Sequence, residues 1–169
     1  FRGDQMVGIT EPLEIGYYMA VKGINPGGYP GLTPGPQGND LVTFRASRRK
    51  ARIKTRLENG KPHIDVNIHI EGNLTEKNAE TFAIDTKEKL KEITDKFALT
   101  AHDKYSAFFK KTQQYGTDIF GFGEYVRARY PNYWKEHVKS EHDWEEIYKE
   151  ISIHTDVKYE IRRVGMKSR

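Results

Sequence analysis

The chain has no cysteine, which excludes a disulfide framework and any thiolate metal site. It also lacks a run of about 18 apolar residues and a signal-peptide pattern, so nothing in it is read as a membrane-spanning helix. Catalytic signatures are missing too. Gly121-Phe122-Gly123 has no third glycine, no preceding strand and no Lys-Ser/Thr of a phosphate loop, and no Gly-x-Ser-x-Gly elbow occurs. Those two glycines are read instead as points where a helix approaches another backbone while Phe120 and Phe122 pack. His137 and His142, followed by Asp143 and Glu145, match no His-Glu-x-x-His pattern, and Glu145-Glu146 fits a solvated helix face. The chain is therefore expected to be no enzyme, with no catalytic residue, cofactor or metal site. It has little net charge, since 28 Lys and Arg stand against 24 Asp and Glu.

What is present begins with two opposed alternating patterns that meet at Asn59-Gly60. Arg48, Lys50, Arg52, Lys54 and Arg56 alternate with Ala51, Ile53, Thr55 and Leu57. After the turn, Ile64, Val66, Ile68 and Ile70 alternate with His63, Asp65, Asn67, His69 and Glu71. A two-residue Asn-Gly loop is the strongest short hairpin signal, because both of its residues must take positive φ. Placing Glu58 opposite Lys61 sets Ile53 against Val66 and Ala51 against Ile68 on one face, with Lys54 against Asp65 and Arg48 against Glu71 on the other. A slip of one residue would mix charged and apolar side chains on both faces, so the pattern specifies the register. Residues 45–56 hold seven cations and no acid. Such a stripe suits phosphates or anionic lipid, and equally a solvated edge kept from aggregating by charge.

The 169 residues, 36% hydrophobic and 31% charged, suit one domain spanning 1–169. Arg2 to Gln5 reads as a turn feeding a strand at Met6 to Ile9 whose partner lies upstream, so the chain reads as a fragment. Thr10-Glu11-Pro12 opens a short helix that Gly23 stops. Asn25 to Asp40, with five Gly and four Pro, reads as a mobile surface loop without ladder hydrogen bonds. Leu41 to Ser47 is a strand of opposite parity to the basic stretch, which requires a bulge or turn near Ser47 to Arg49. Gly72-Asn73 is expected to break the second hairpin strand.

Asp85 opens the longest helix, with Glu88 placed for a capping box. Its stripe is Leu90, Ile93, Phe97, Ala101, Tyr105, Phe108 and Thr112, about 40 Å long at 1.5 Å per residue, and Gly116 ends it. Asp118 starts a further helix that Pro131 stops, Trp134 and Trp144 sit in short helical turns, and Ile151 to Arg162 alternates as a final strand. The fold class is α+β, a largely antiparallel sheet with a long helix packed on one face and additional shorter helices. His63, Asp65, His69 and Glu71 share a strand face and offer zinc-ligating atoms, but Lys50, Lys54 and Arg56 opposite them oppose a divalent ion by Coulomb repulsion.

The run Asp118-Ile-Phe-Gly-Phe-Gly-Glu124, then Arg129-Tyr130-Pro131, Tyr133-Trp134, Trp144 and Val157 to Gly165, resembles the C-terminal domain of the spore-germination C-subunit lipoproteins, the Ger(x)C family. Ile70 to Leu74 and Phe1 to Gly8 share the likeness, which covers nearly the whole chain; Asn25 to Asp40 departs from the shorter, more strand-like segment usual there. The resemblance implies a non-enzymatic C subunit of a nutrient germinant receptor, acting in spore germination with integral-membrane subunits A and B. It further implies a lipid anchor upstream of this C-terminal fragment that holds the protein to the outer surface of the spore inner membrane. It carries over no catalytic residue. Arg48, Lys50, Arg52, Lys54 and Arg56 are the candidate contacts for a partner or an anionic surface. The rival function is a nucleic-acid-binding module using the same basic hairpin. The acids facing the stripe and the absence of outward aromatics for base stacking weigh against it.

Overall fold

Asn59 and Gly60 take φ angles of 51° and 75°, the left-handed pair that a tight hairpin turn requires. A computed structural model describes residues 4–24, 31–34, 41–77 and 86–164. In chain order the elements are α1 (Pro12–Val21), β1 (Gly31–Pro34), β2 (Leu41–Glu58), β3 (Lys61–Lys77), α2 (Lys87–Gln114), α3 (Phe122–Arg129), α4 (Pro131–His137), α5 (Glu141–Glu150) and β4 (Ser152–Val164). The sheet order is β1-β2-β3-β4. β1 and β3 run antiparallel to β2, whereas β4 lies parallel to β3. The helices form the long crossover that a parallel neighbour needs.

The hairpin has the expected register: Glu58 opposes Lys61, Lys54 opposes Asp65, Ile53 opposes Val66, Ala51 opposes Ile68 and Arg48 opposes Glu71. The register shifts between Ala46 and Arg48, so of the bulge or turn that the parity change requires, the strand has the bulge. Two strand expectations are corrected. β3 does not break at Gly72-Asn73 but continues to Lys77. Gly72 is there because a Cβ would lie 2.4 Å from the Arg45 carbonyl oxygen and from the Phe44 ring, so the glycine marks close approach rather than an end. Met6 to Ile9 forms no strand; only Gln5 makes an isolated bridge.

Part of the Gly/Pro-rich loop is corrected as well. Residues 31–34 pair with Leu41–Phe44 as β1, and a proline is tolerated there because β1 is an edge strand whose outer side needs no ladder partner. The rest of that stretch, like Asp85, lies outside the described residues. The α2 cap is Thr86, whose Oγ1 accepts from the Lys89 N–H at 3.2 Å. Lys89 is then the third helical residue, so Glu88 does not complete a capping box.

One face of the sheet is closed by α2. Its Ile93, Phe97, Ala101, Tyr105, Phe108 and Thr112 are buried, as the stripe predicts, and Phe109 joins them. They meet Ile64, Val66, Ile68 and Ile70 of β3 and Val157 of β4 in one core. Phe97 sits in an aromatic group with Phe44 and Tyr159, ring centroids 5.4 Å from each. Farther along, Phe120 packs on Phe108 at 5.4 Å, Phe109 at 5.0 Å and Phe122 at 5.2 Å.

Candidate interaction surface

The bulge at Ser47 decides what the outer sheet face carries. Before it, Val42, Phe44 and Ala46 face the core; after it, the even positions face solvent, so Arg48, Lys50, Arg52, Lys54 and Arg56 are all exposed. β3 continues that face with His63, Asp65, Asn67, His69 and Glu71. β4 extends it with Ser152, His154, Asp156, Lys158 and Glu160 through its register with β3. The five predicted contact residues are thus brought together in one row at one side of an open, charged surface.

Their acidic neighbours are largely committed to other partners. Asp65 lies opposite Lys54 but bonds Arg56, which also holds Glu58. Glu71 lies opposite Arg48 but accepts from Arg162 at 3.1 Å, and this hydrogen bond holds its carboxyl below the usual range. Among the described residues, ion pairs reach Arg56 but not Arg48, Lys50, Arg52 or Lys54. Register neighbours are therefore not ion pairs here, and four cations keep their charge open to solvent. Since Asp65 and Arg56 are both partly exposed, Asp65→Ala is expected to change stability by only ~0–1 kcal/mol in urea unfolding.

The zinc-type donor set is redistributed. His63 turns to Glu58 at 3.4 Å and Asp65 to Arg56, while His69, Glu71 and Glu160 come within 4.8 Å of one another. Arg162 bonds both carboxylates of that group, at 3.1 Å to Glu71 and 3.0 Å to Glu160, supplying the positive charge a cation would bring. No Phe, Tyr or Trp occupies the outward positions of β2 or β3 among the described residues, so the large rings that usually stack on bases are missing from this face.

Two residues matter more than the sequence reading allowed. Arg49 is one of the seven cations of the basic run, yet it points inward and is only 6% exposed. Its odd position, in phase with Ala51 and Ile53, was the available signal. Asp118 does not open α3, which starts at Phe122. Its carboxylate instead accepts from the N–H groups of Phe122 at 3.0 Å and Gly123 at 2.7 Å, and from Trp144 Nε1 at 3.0 Å. Trp134 and Trp144 lie 5.2 Å apart beside a hollow of about 680 Å³ that Asp118 also lines. Gly123 sits beneath these indoles: a Cβ there would be 2.7 Å from Trp144 Nε1, so the close approach is to side chains and not to another backbone.

A twisted hairpin with a basic outer row, extended by a parallel strand and closed on its inner face by a 28-residue helix, defines an α+β domain whose accessible feature is a charged sheet surface. No described helix is long and apolar enough to cross a membrane. The chain belongs to the family described as spore germination B3/GerAC like, C-terminal, whose model matches residues 1–165. It is similar to spore germination protein B3 of Bacillus subtilis (strain 168), 28% identical over 138 residues covering 80% of this chain and 36% of that protein. Spore germination protein KC of the same organism is 24% identical over 130 residues, covering 76% of this chain and 31% of that protein. The chain therefore spans about a third of the length of these curated relatives. The crystal structure of the GerBC protein matches with a TM-score of 0.77 at 26% identity, over 92% of this chain and 47% of that one.

Proposed function

We propose that this chain is the C-terminal domain of a germinant-receptor C subunit, a non-enzymatic module that acts in spore germination by surface contact. A lipid anchor upstream would hold it beside the inner membrane, where Arg48, Lys50, Arg52, Lys54 and Arg56 face anionic headgroups or the integral subunits A and B. The observation that carries the reading is the exposed basic row, four of whose members have no ion pair among the described residues. Family membership supplies the process, since the relatives named above are spore germination proteins.

Each cation near an anionic bilayer is worth about 1 kcal/mol. The combined change Lys50→Glu, Arg52→Glu and Lys54→Glu is expected to abolish cosedimentation with phosphatidylglycerol vesicles while the thermal midpoint stays nearly constant. Raising salt should do the same, because the Debye length is only about 8 Å at physiological ionic strength. A subunit interface with an apolar centre would instead survive salt. If the triple reversal leaves vesicle binding and spore germination as they were, the basic row is a solvated edge only. The contact would then be sought on the α4–α5 surface around Trp134 and Trp144.

A further inference from the structure

The hollow of about 680 Å³ beside Trp134 and Trp144 is bounded by the turn before α3, by α4 and by the start of α5. Its size falls in the range of small-molecule sites, about 300–1,000 Å³. The two indoles line it with their planes inclined by 38°, so they meet at an angle and not as a closed stack. Trp144 is fixed in place: its Nε1–H donates to Asp118 at 3.0 Å, and its edge lies so close to Gly123 that a Cβ there would come within 2.7 Å. Trp134 lies over the same glycine, 3.1 Å from that Cβ position, and is only half-buried, so part of its ring stays open to solvent.

Charge decides what such a hollow can hold. Among the described residues its lining has four carboxylates, Asp118, Glu124, Glu141 and Glu145, against one ammonium, Lys139, whose Nζ donates to the Lys135 carbonyl. Arg127 pairs with Glu124, and His142 lies 3.4 Å from Glu145. Asp118, by contrast, is met only by neutral N–H donors among the described residues, and Glu141 has no ion pair there. The nearby helix starts, which could otherwise hold an anion, are already occupied: Asp118 takes the N–H groups of Phe122 and Gly123 at α3, and Asp143 takes those of Lys139 and Ser140 at 2.8 Å before α5. Nor do three of the lining carboxylates come within 4.8 Å of one another, as ligands of a single metal ion would.

We infer that this hollow binds a small alkylated ammonium of the size and charge of choline, its methyl groups against Trp134 and Trp144 and its charge balanced by Asp118 and Glu141. A cation over an aromatic face is attracted by the ring quadrupole, and tryptophan is the strongest of the three aromatic residues in this role. Alkylation follows from the lining. A bare ammonium brings three N–H donors that need acceptors, whereas the indole faces offer no lone pair and Asp118 already accepts three hydrogen bonds. A quaternary ammonium needs none. The site is independent of the basic row and of the function proposed for it.

Tryptophan emission reads the binding directly, because both tryptophans of the chain line the hollow. The 169-residue chain is titrated at constant chloride with choline and with dimethylbutanol, the neutral isostere in which carbon replaces the charged nitrogen. Choline is expected to give a saturable change at millimolar concentration and to bind about tenfold more tightly than the isostere. Trp134→Leu keeps an apolar surface but removes the π face, and should abolish that preference while Trp144 still reports; Trp134→Phe should retain part of it. Glu141→Gln should weaken choline binding several-fold and leave the isostere unaffected. The triple reversal on β2 should leave choline binding as it is, so failure of the proposed function does not touch this site. Phosphatidylcholine vesicles carry the same group: a change with them as well assigns it to a lipid headgroup, no change assigns it to a free solute, and either supports the site. Equal affinity for choline and its isostere, no saturable change at millimolar choline, or undiminished choline binding in the Trp134 variants would each overturn the inference. If Trp134→Leu fails to fold, the isostere comparison and Trp134→Phe still decide it.

Discussion

Phe97→Ala is expected to cost about 3–5 kcal/mol, the range for truncating a buried phenylalanine. The side chain is 4% exposed and joins α2 to β2 and β4 through its contacts with Phe44 and Tyr159. Truncation removes both the transfer free energy of the ring and its dispersion contacts with two other aromatics. Because Phe97 also borders a cleft between α1 and α2, water can enter part of the void, which places the expected value toward the lower end. Urea unfolding measures it: the midpoint should fall while the slope stays constant. A loss below about 1 kcal/mol would show that the α2 stripe does not carry the core.

Asp118→Ala should be comparably damaging, at about 2–5 kcal/mol, although it removes no large side chain. Three donors lose their acceptor at once: two backbone N–H groups at the start of α3 and the Trp144 indole. Each partly buried donor left unsatisfied costs ~1–3 kcal/mol, reduced where water can replace the carboxylate. The hollow beside Trp134 and Trp144 admits some water, so the sum falls short of three full penalties. The chain's two tryptophans are both at this site, so their emission reports on it directly. The variant should unfold at lower urea and show a shifted emission maximum before unfolding. An unchanged spectrum with a loss under about 0.5 kcal/mol would mean that Asp118 is not what ties α3 to α5.

Much of the architecture was legible because its determinants are local. The Asn59-Gly60 turn and the opposed parities on either side select one register, and the three-and-four spacing from Leu90 to Thr112 marks the face of α2 that becomes buried. That a bulge or turn interrupts the strand near Ser47 followed from parity alone, and the structure resolves it as a bulge. The sites were less legible. The basic row was visible as a pattern, but which acids neutralise it was not. Arg162 claims Glu71 from β4, which is 91 residues distant in the chain, and Arg56 reaches across to Asp65 instead of leaving it to Lys54.

By itself, the sequence determined the hairpin, its register, the helix that covers it and the α+β class, since periodicity and turn chemistry act over a few residues and specify which face is apolar. Only the tertiary structure decided that β4 lies parallel beside β3, that residues 31–34 complete the sheet as an edge, that Arg49 lines a cleft and that Asp118 links α3 to α5. Alternation states which side chains turn inward but not which strand lies alongside, nor what a buried polar group will meet. Those outcomes depend on contacts between residues tens of positions apart, where hydrogen bonds must be satisfied and space must be filled.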